Sequence, residues 1–316
     1  MSDLERAVSA VVRDCLGVRE GEEALVVANP ATIGLGERLR AEVGRAGADG
    51  VLALIAERES HAAEPPASVA AAIKAADVVL APTIQSLSHT AARRAASEAG
   101  VRIATLPGVT EEVLARVMSA DMDGLRRKGA AIAERLTLGA QAHLTCANGS
   151  DLRIGLGDRE GIPDDGDLTA RSAFGNLPCG EGFISPVEGT TEGTLVVDGT
   201  IAAIGRIDEP AELRVQNGRL IGATGPHGER LMELLTAHGE DGTNVAELGI
   251  GTNEKAILTG NLIEDEKILG TAHVAFGASA GIGGTVQVPV HLDCVVTRPA
   301  VSVDGQLLLR DGELLV

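Results

Sequence analysis

Apolar and polar positions follow two alternating periodicities along the first 125 residues. Short apolar runs typical of buried strands separate longer stretches in which apolar residues recur with helical spacing. The pattern predicts helices at 4–16, 34–46, 67–76 and 88–99, and strands at 23–29, 51–55, 77–81 and 101–105. This alternation is typical of a doubly wound parallel sheet. No strand is followed by a GxGxxG or P-loop sequence, so a nucleotide site has no support.

The pattern changes in the second half of the chain. A charged helical stretch at 110–138 is expected to connect two domains, and the segments beyond it are mostly strand-like, with helices only at 228–237 and 263–268. Asn-Gly or Asp-Gly pairs at 217–218, 304–305 and 311–312 predict hairpin turns. We therefore expect an α/β protein with a parallel-sheet domain at 1–125, a connecting helix at 126–140 and a mainly antiparallel α+β domain at 141–316 that carries a metal site.

Composition narrows the possible partners. The net charge of −18 argues against nucleic acid and against an anionic membrane surface as a partner. The four cysteines form no CxxC pair, and no apolar run reaches the length of a membrane span. With no signal peptide visible, we expect a cytoplasmic protein. The chain has three Phe, no Trp and no Tyr, so no tyrosine of this chain can take part in catalysis.

An imidazole and a carboxylate lie two residues apart in the apolar run at 290–296. On a strand His291 and Asp293 would point to the same face, whereas Leu292 and Cys294 would point to the other. Two buried ionisable groups are costly unless their desolvation is offset. A local His–Asp hydrogen bond would offset it, and so would a metal ion.

Three further residues favour the metal ion. Glu181 occupies a turn bordered by Pro and Gly, Glu247 interrupts the apolar run at 245–250, and His273 opens a short apolar strand. Together with His291 and Asp293 they supply two imidazoles and three carboxylates, a set that suits Zn²⁺, Mn²⁺ or Co²⁺. The set is large enough for two ions with one bridging carboxylate, which is the equipment for amide hydrolysis.

Several longer segments resemble the M29 family of metallo-aminopeptidases, the aminopeptidase T and S type. They are Ser86-Leu-Ser-His-Thr-Ala-Ala-Arg-Arg94, Leu106-Pro-Gly-Val-Thr110, Asn176-Leu-Pro-Cys-Gly-Glu181, Ala246-Glu-Leu-Gly-Ile-Gly-Thr-Asn253, Glu264-Asp-Glu-Lys-Ile-Leu-Gly-Thr-Ala-His273 and His291-Leu-Asp293. The resemblance implies a homodimeric cytoplasmic exopeptidase acting on small peptides. It also implies a two-metal site whose five ligand positions correspond to Glu181, Glu247, His273, His291 and Asp293.

Two features depart from the family pattern. The family's aminopeptidases carry a tyrosine about seven residues after the first ligand histidine, where this chain has Ala280. The chain is also shorter than typical aminopeptidases of this type. Both features weaken the case for peptide cleavage, because a donor to the transition state is missing.

The same fold includes the 2,5-dihydroxypyridine ring-cleaving dioxygenases, which hold one Fe(II) with two His and one carboxylate. His273, His291 and Asp293 would supply that triad. Retention of Glu181 and Glu247 favours the two-metal hydrolase over this alternative. A third alternative is a non-catalytic metal-binding protein with a closed site.

The remaining residues receive less specific expectations. We expect Glu181 and Glu266 to act as catalytic groups, with Glu266 as the general base if Glu181 is a ligand. Otherwise Glu266 and Lys267 are expected to be an exposed pair or a cap at a helix end. His89 is either a neighbour of a helix cap or a substrate contact.

Overall fold

The computed structural model describes all 316 residues and divides the chain into two compact units. The first unit contains residues 1–120 and 166–179, and the second contains 121–165 and 180–316. The boundaries therefore differ from the expected domains, because the chain returns to the first unit for fourteen residues. The helix expected as a connection at 126–140 belongs to the second unit.

The elements are numbered in chain order. The helices are α1 Asp3–Ser9, α2 Ile33–Arg45, α3 Ala67–Ala75, α4 Ala91–Ala99, α5 Glu111–Val117, α6 Met122–Leu138, α7 Gly225–Thr236 and α8 Leu262–Asp265, with a π-helical segment Ala10–Cys15 after α1. The strands are β1 Glu23–Ala28, β2 Asp49–Leu54, β3 Val78–Ala81, β4 Arg102–Thr105, β5 Gln141–Thr145, β6 Asp151–Gly155, β7 Ile162–Asp164, β8 Phe174–Asn176, β9 Glu181–Ile184, β10 Glu192–Val197, β11 Thr200–Ile201, β12 Gly205–Arg206, β13 Ala211–Gln216, β14 Arg219–Ala223, β15 Val245–Gly251, β16 Ala272–Gly277, β17 His291–Val296, β18 Ala300–Val303, β19 Gln306–Arg310 and β20 Glu313–Leu314.

The first unit is built on a five-stranded sheet in the order β2-β1-β3-β4-β8, and all its strand pairs are parallel. Its four N-terminal strands are those expected from the apolar runs. The fifth strand, β8, comes from the returning segment and pairs with β4. Its three residues are too short for a recognisable period, which is why the sequence pattern gave no sign of it.

The second unit contains two antiparallel sheets. Their orders are β14-β13-β10-β6-β5-β18-β19-β20 and β12-β11-β17-β16-β15-β9-β7. The three expected hairpins are confirmed, since Asn217-Gly218, Asp304-Gly305 and Asp311-Gly312 all have positive φ at both positions and each joins an antiparallel pair. The expected fold class is confirmed: a parallel-sheet α/β unit and a mainly antiparallel α+β unit.

One expected helix is divided. The stretch at 110–138 forms α5 and α6, separated by residues 118–121. Asp121 has extended backbone angles at the N-cap of α6, and a residue of this type at an N-cap starts a new helix. The charge pattern runs through both helices, so it did not mark the break. No helix of the structure has the length and apolar character needed to cross a membrane.

We expect Phe276→Ala to lower the free energy of unfolding by roughly 3–5 kcal/mol. The Phe276 side chain is fully buried in the apolar core of the second unit, and its removal would leave a large cavity. Far-UV circular dichroism is the suitable probe, because the chain has no Trp or Tyr for fluorescence. Phe276→Leu should cost less than about 1.5 kcal/mol. An equal loss in both variants would contradict this account.

Candidate metal centre

Four neighbouring strands of the seven-stranded sheet carry the five expected ligands. Glu181 opens β9 rather than lying in a turn, Glu247 lies on β15, His273 on β16, and His291 and Asp293 on β17. Residues paired across a ladder share a face, and so do residues an even number of positions apart on one strand. Glu181 pairs with Gly251, which lies four residues after Glu247 on β15. His273 pairs with Gly249, two residues after Glu247 on β15. Asp293 pairs with Ala275, and Ala275 pairs on its other side with Glu247. All five side chains therefore lie on one face.

The opposite face of the same strands is apolar. Residues that alternate with the ligands along the strands belong to the buried core, and they include Ile184, Leu248, Val274, Leu292 and Cys294. Cys294 is thus turned away from His291 and Asp293, as the alternation along the strand predicts. This two-sided pattern fixes the register of the strands, because shifting any of them by one residue would bury its charged side chains in the apolar core.

Small residues make room for the ligand side chains. A Cβ atom on Gly249 would lie 2.1 Å from His273 Nε2, so the imidazole occupies the space that a side chain on β15 would fill. Ala275 occupies the position between Glu247 and Asp293 in the ladder. Without a large side chain at these positions, groups from three strands can converge.

The ligand atoms form two groups that share one carboxylate. Glu181, Glu247 and His273 form the inner group, and Glu247, His291 and Asp293 form the outer group, with the ligand atoms of each group within 4.8 Å of one another. Glu247 Oε1 lies 3.2 Å from His273 Nε2, and Glu247 Oε2 lies 3.4 Å from His291 Nε2. The expected iron triad of His273, His291 and Asp293 is therefore divided between the two groups.

The outer group is suited to a cation. His291 Nδ1 donates to Ala278 O at 2.7 Å, which fixes the proton on that nitrogen. Nε2 faces carboxylate oxygens of Glu247 and Asp293 at 3.4 and 3.6 Å, longer than ordinary hydrogen bonds. A neutral imidazole would place a lone pair against two anions, whereas an ion between the three atoms would attract all of them. The donor set fits a divalent metal.

The inner group is more deeply buried and also fits a cation. Glu181 Oε2 lies 3.1 Å from His273 Nε2 but makes no hydrogen bond, and His273 Nδ1 is likewise without one. An unpartnered carboxylate oxygen in the interior is costly. The side chain of His273 is 1% exposed, compared with 18% for His291. A substrate can therefore approach the outer group more readily than the inner one.

The pKa values show how strongly the cluster attracts positive charge. Burial lowers the pKa of His273, but Glu181 and Glu247 outweigh it and raise that pKa well above its usual range. Burial likewise opposes the charged form of His291, and Asp293 and Glu247 raise its pKa well above normal. Protons and metal ions compete for such ligands, so a divalent ion would displace the protons.

Lys267 also belongs to the site, although the sequence predicted an exposed residue or a cap at a helix end. Its side chain is 1% exposed rather than lying on the surface. Nζ lies 2.5 Å from Glu181 Oε1, 2.9 Å from Glu266 Oε1 and 3.0 Å from Asp164 Oδ2. Asp164 was not recognised as a site residue because it is remote in sequence. It reaches the cluster through the pairing of β7 with β9, which places it opposite Glu181.

Glu266 is buried beside this cluster and is in neither ligand group. Burial raises its pKa to about 8, supported by the charges of Glu181 and Asp293 and opposed by Lys267. A carboxyl group with this pKa can hold or release a proton near neutral pH, which is a property of a general acid or base. Its catalytic role remains a prediction.

Two other expectations concern residues outside the ligand groups. Ala280, at the position of the family tyrosine, is exposed in the segment between β16 and β17 and offers only a methyl group. His89 is exposed in the first unit, and its proposed contact with a substrate remains a prediction.

The fold and the ligand groups define an enzyme of the metal-dependent kind that includes the M29 aminopeptidases and their dihydroxypyridine dioxygenase relatives. The chain belongs to the 2,5-dihydroxypyridine 5,6-dioxygenase (NicX) family, whose model matches residues 35–316. All five candidate ligands and Lys267 lie inside this range. The resemblance inferred from the sequence is thereby confirmed.

Individual relatives agree with this assignment. The 2,5-dihydroxypyridine 5,6-dioxygenase of Pseudomonas putida KT2440 is 24% identical over 266 residues, which are 77% of this chain and 72% of the relative. The structure of 2,5-dihydroxypyridine dioxygenase from that organism covers 100% of this chain and 98% of its own, at 20% identity and a TM-score of 0.88. AmpT from Thermus thermophilus matches with a TM-score of 0.74 at 19% identity, covering 99% of each chain. At these identities the two structures show a shared fold.

We expect Gly249→Ala to weaken metal binding about tenfold or more, because the new methyl group would displace the His273 imidazole. Equilibrium dialysis against Mn²⁺ measures the effect. Gly44→Ala is the matched control, since nothing lies within 4 Å of a Cβ atom there. Unchanged affinity in Gly249→Ala would mean that His273 does not contribute to the centre.

Proposed function

We propose that the protein is a ring-cleaving dioxygenase that uses one Fe(II) to open a dihydroxylated aromatic ring of the pyridine type. The observation that carries the substrate class is Phe183. It is one of only three Phe in the chain, and it lies half-buried on the ligand face of β9, two residues from Glu181. Family membership over residues 35–316 supports the same chemistry.

The position of Phe183 follows from the ladder. Gly182 faces the core, where a Cβ atom would meet Ile132, so Phe183 points to the other face. Phe183 pairs with Gly249, which pairs in turn with His273. The aromatic ring thus stands in the same row of the sheet as a ligand imidazole. Flat aromatic substrates gain binding energy by stacking on such a side chain.

The outer group, Glu247, His291 and Asp293, together with the adjoining His273, would hold the ion. Bound Fe(II) would supply the one-electron redox chemistry that reaction between dioxygen and an organic ring requires. Dioxygen is the oxidant in the proposed reaction, and both of its oxygen atoms enter the ring-opened product. Glu266 would hold a proton near the site at neutral pH, and Phe183 would orient the ring.

A second candidate is a two-metal aminopeptidase that releases N-terminal residues from small peptides, with Zn²⁺, Co²⁺ or Mn²⁺. The specific observation in its favour is that the two oxygens of Glu247 face two different ligand groups, as a bridging carboxylate would. The missing tyrosine at Ala280 and the aromatic side chain on the ligand face count against it. In this case Glu181 and Glu247 would both be ligands, as the sequence analysis expects.

The two candidates predict different metal content and different reactions. We expect one equivalent of iron per chain, and uptake of one O₂ for each 2,5-dihydroxypyridine consumed. His291→Ala should lose both the iron and the oxygen uptake, because it removes a ligand of the outer group. His238→Ala is the control, since His238 is exposed at the end of α7. Two equivalents of Zn or Mn, with release of an N-terminal residue from a dipeptide, would establish the second candidate instead.

Phe183→Ala should raise KM for an aromatic substrate about tenfold, corresponding to the loss of one stacking contact. Phe183→Tyr, which keeps the ring, should leave KM within a factor of about three. Steady-state oxygen uptake gives both values. If the two variants behaved alike, stacking on Phe183 would not contribute to recognition.

A further inference from the structure

The carboxylate cluster around Lys267 already contains a cation supplied by the chain. The ammonium has three N–H donors, and three carboxylate oxygens lie at 2.5, 2.9 and 3.0 Å, from Glu181, Glu266 and Asp164. Of these three oxygens Glu181 Oε1 accepts a hydrogen bond from the ammonium, and all three form ion pairs with it inside the protein. The side chain of Lys267 is one of the largest fully buried side chains of the molecule.

Glu181 connects this ammonium to the inner ligand group. Its Oε1 is held by Lys267 Nζ, whereas its Oε2 faces His273 Nε2 at 3.1 Å without a hydrogen bond. A divalent ion in the inner group would have to share Glu181 with the ammonium. The ammonium already neutralises Glu181, so the inner group would offer a second ion one anionic ligand fewer, and the ammonium and that ion would repel each other. The outer group contains no residue paired with Lys267.

We propose that the Lys267 ammonium takes the place of a second divalent ion, so that the chain binds a single ion in the outer group. Lys267 is then a positioning residue: it satisfies the charge of Glu181 and keeps a second ion out of the inner group, which leaves Glu247 and His273 to the single ion. The inference rests on the proposed function only in requiring that a divalent ion binds. It explains how a face with enough ligands for two ions can support one-ion chemistry.

A purely structural ion pair predicts something different. If Lys267 only stabilised the interior, its loss would leave buried carboxylates uncompensated, and added metal would have no special effect. If it stands in for an ion, its loss creates a metal site. The inner group of Glu181, Glu247 and His273 would then bind an ion with Glu181 wholly available.

The test compares wild type, Lys267→Gln and Lys128→Gln with Mn²⁺ as the probe. Lys128 pairs with Glu254 at 3.8 Å and is partly exposed, so it provides a matched loss of charge away from the cluster. Equilibrium dialysis with elemental analysis should give one Mn²⁺ per chain for wild type and Lys128→Gln, and two for Lys267→Gln. Electron paramagnetic resonance should show isolated Mn²⁺ in wild type and a spin-coupled pair in Lys267→Gln.

Thermal unfolding provides a second readout. Metal-free Lys267→Gln should unfold at a lower temperature than wild type, and Mn²⁺ should raise its midpoint by more than it raises that of wild type. Two Mn²⁺ per chain in wild type would overturn the proposal even if the variant failed to fold. So would a folded Lys267→Gln protein that still bound one. Failure to consume O₂ while these stoichiometries held would refute the dioxygenase assignment and leave the role of Lys267 intact.

Discussion

The site depends on compensating negative charge that has been removed from water. Asp164, Glu181, Glu247, Glu266 and Asp293 are all buried or nearly so on the second unit. Each would cost several kcal/mol if it were ionised and unpaired. Burial raises the pKa of Glu266 to about 8, so this carboxyl can keep its proton at neutral pH. The Lys267 ammonium forms ion pairs with Asp164, Glu181 and Glu266, and the two imidazoles face Glu247 and Asp293. The arrangement needs positive charge inside it, and a metal ion bound there would link its binding to the folding of this face.

The sheet itself makes this concentration of charge possible. Its core face is continuous and apolar, so the strands are held in register independently of the charged face. Gly249 and Ala275 then leave a hollow between the strands, into which the ligands project. Apolar packing on one side therefore provides the rigidity that a ligand set on the other side requires.

AmpT and a dihydroxypyridine dioxygenase both match this fold along nearly the whole chain, so the fold does not separate the two candidate activities. The ligand positions alone do not separate these activities. The proposals rest on individual side chains: an aromatic ring at Phe183, a methyl group at Ala280, and an ammonium at Lys267. Each would change which ion or substrate the centre binds without altering the fold, because one fold can carry different active sites.

Many features of this protein follow from local patterns in its sequence. Short apolar runs between helical stretches predicted the parallel strands of the first unit, and Asn-Gly and Asp-Gly pairs predicted the three hairpins. Alternation along a strand predicted that Asp293 and Cys294 face opposite sides. All of these are local properties of the chain. Its ligand types also pointed to a metal centre. Other features appear only in the folded chain: β8 joins the first sheet, Asp164 lies opposite Glu181, and Lys267 is buried among carboxylates. These depend on pairing between segments distant in sequence, and no local pattern encodes which strand edge a short segment will find.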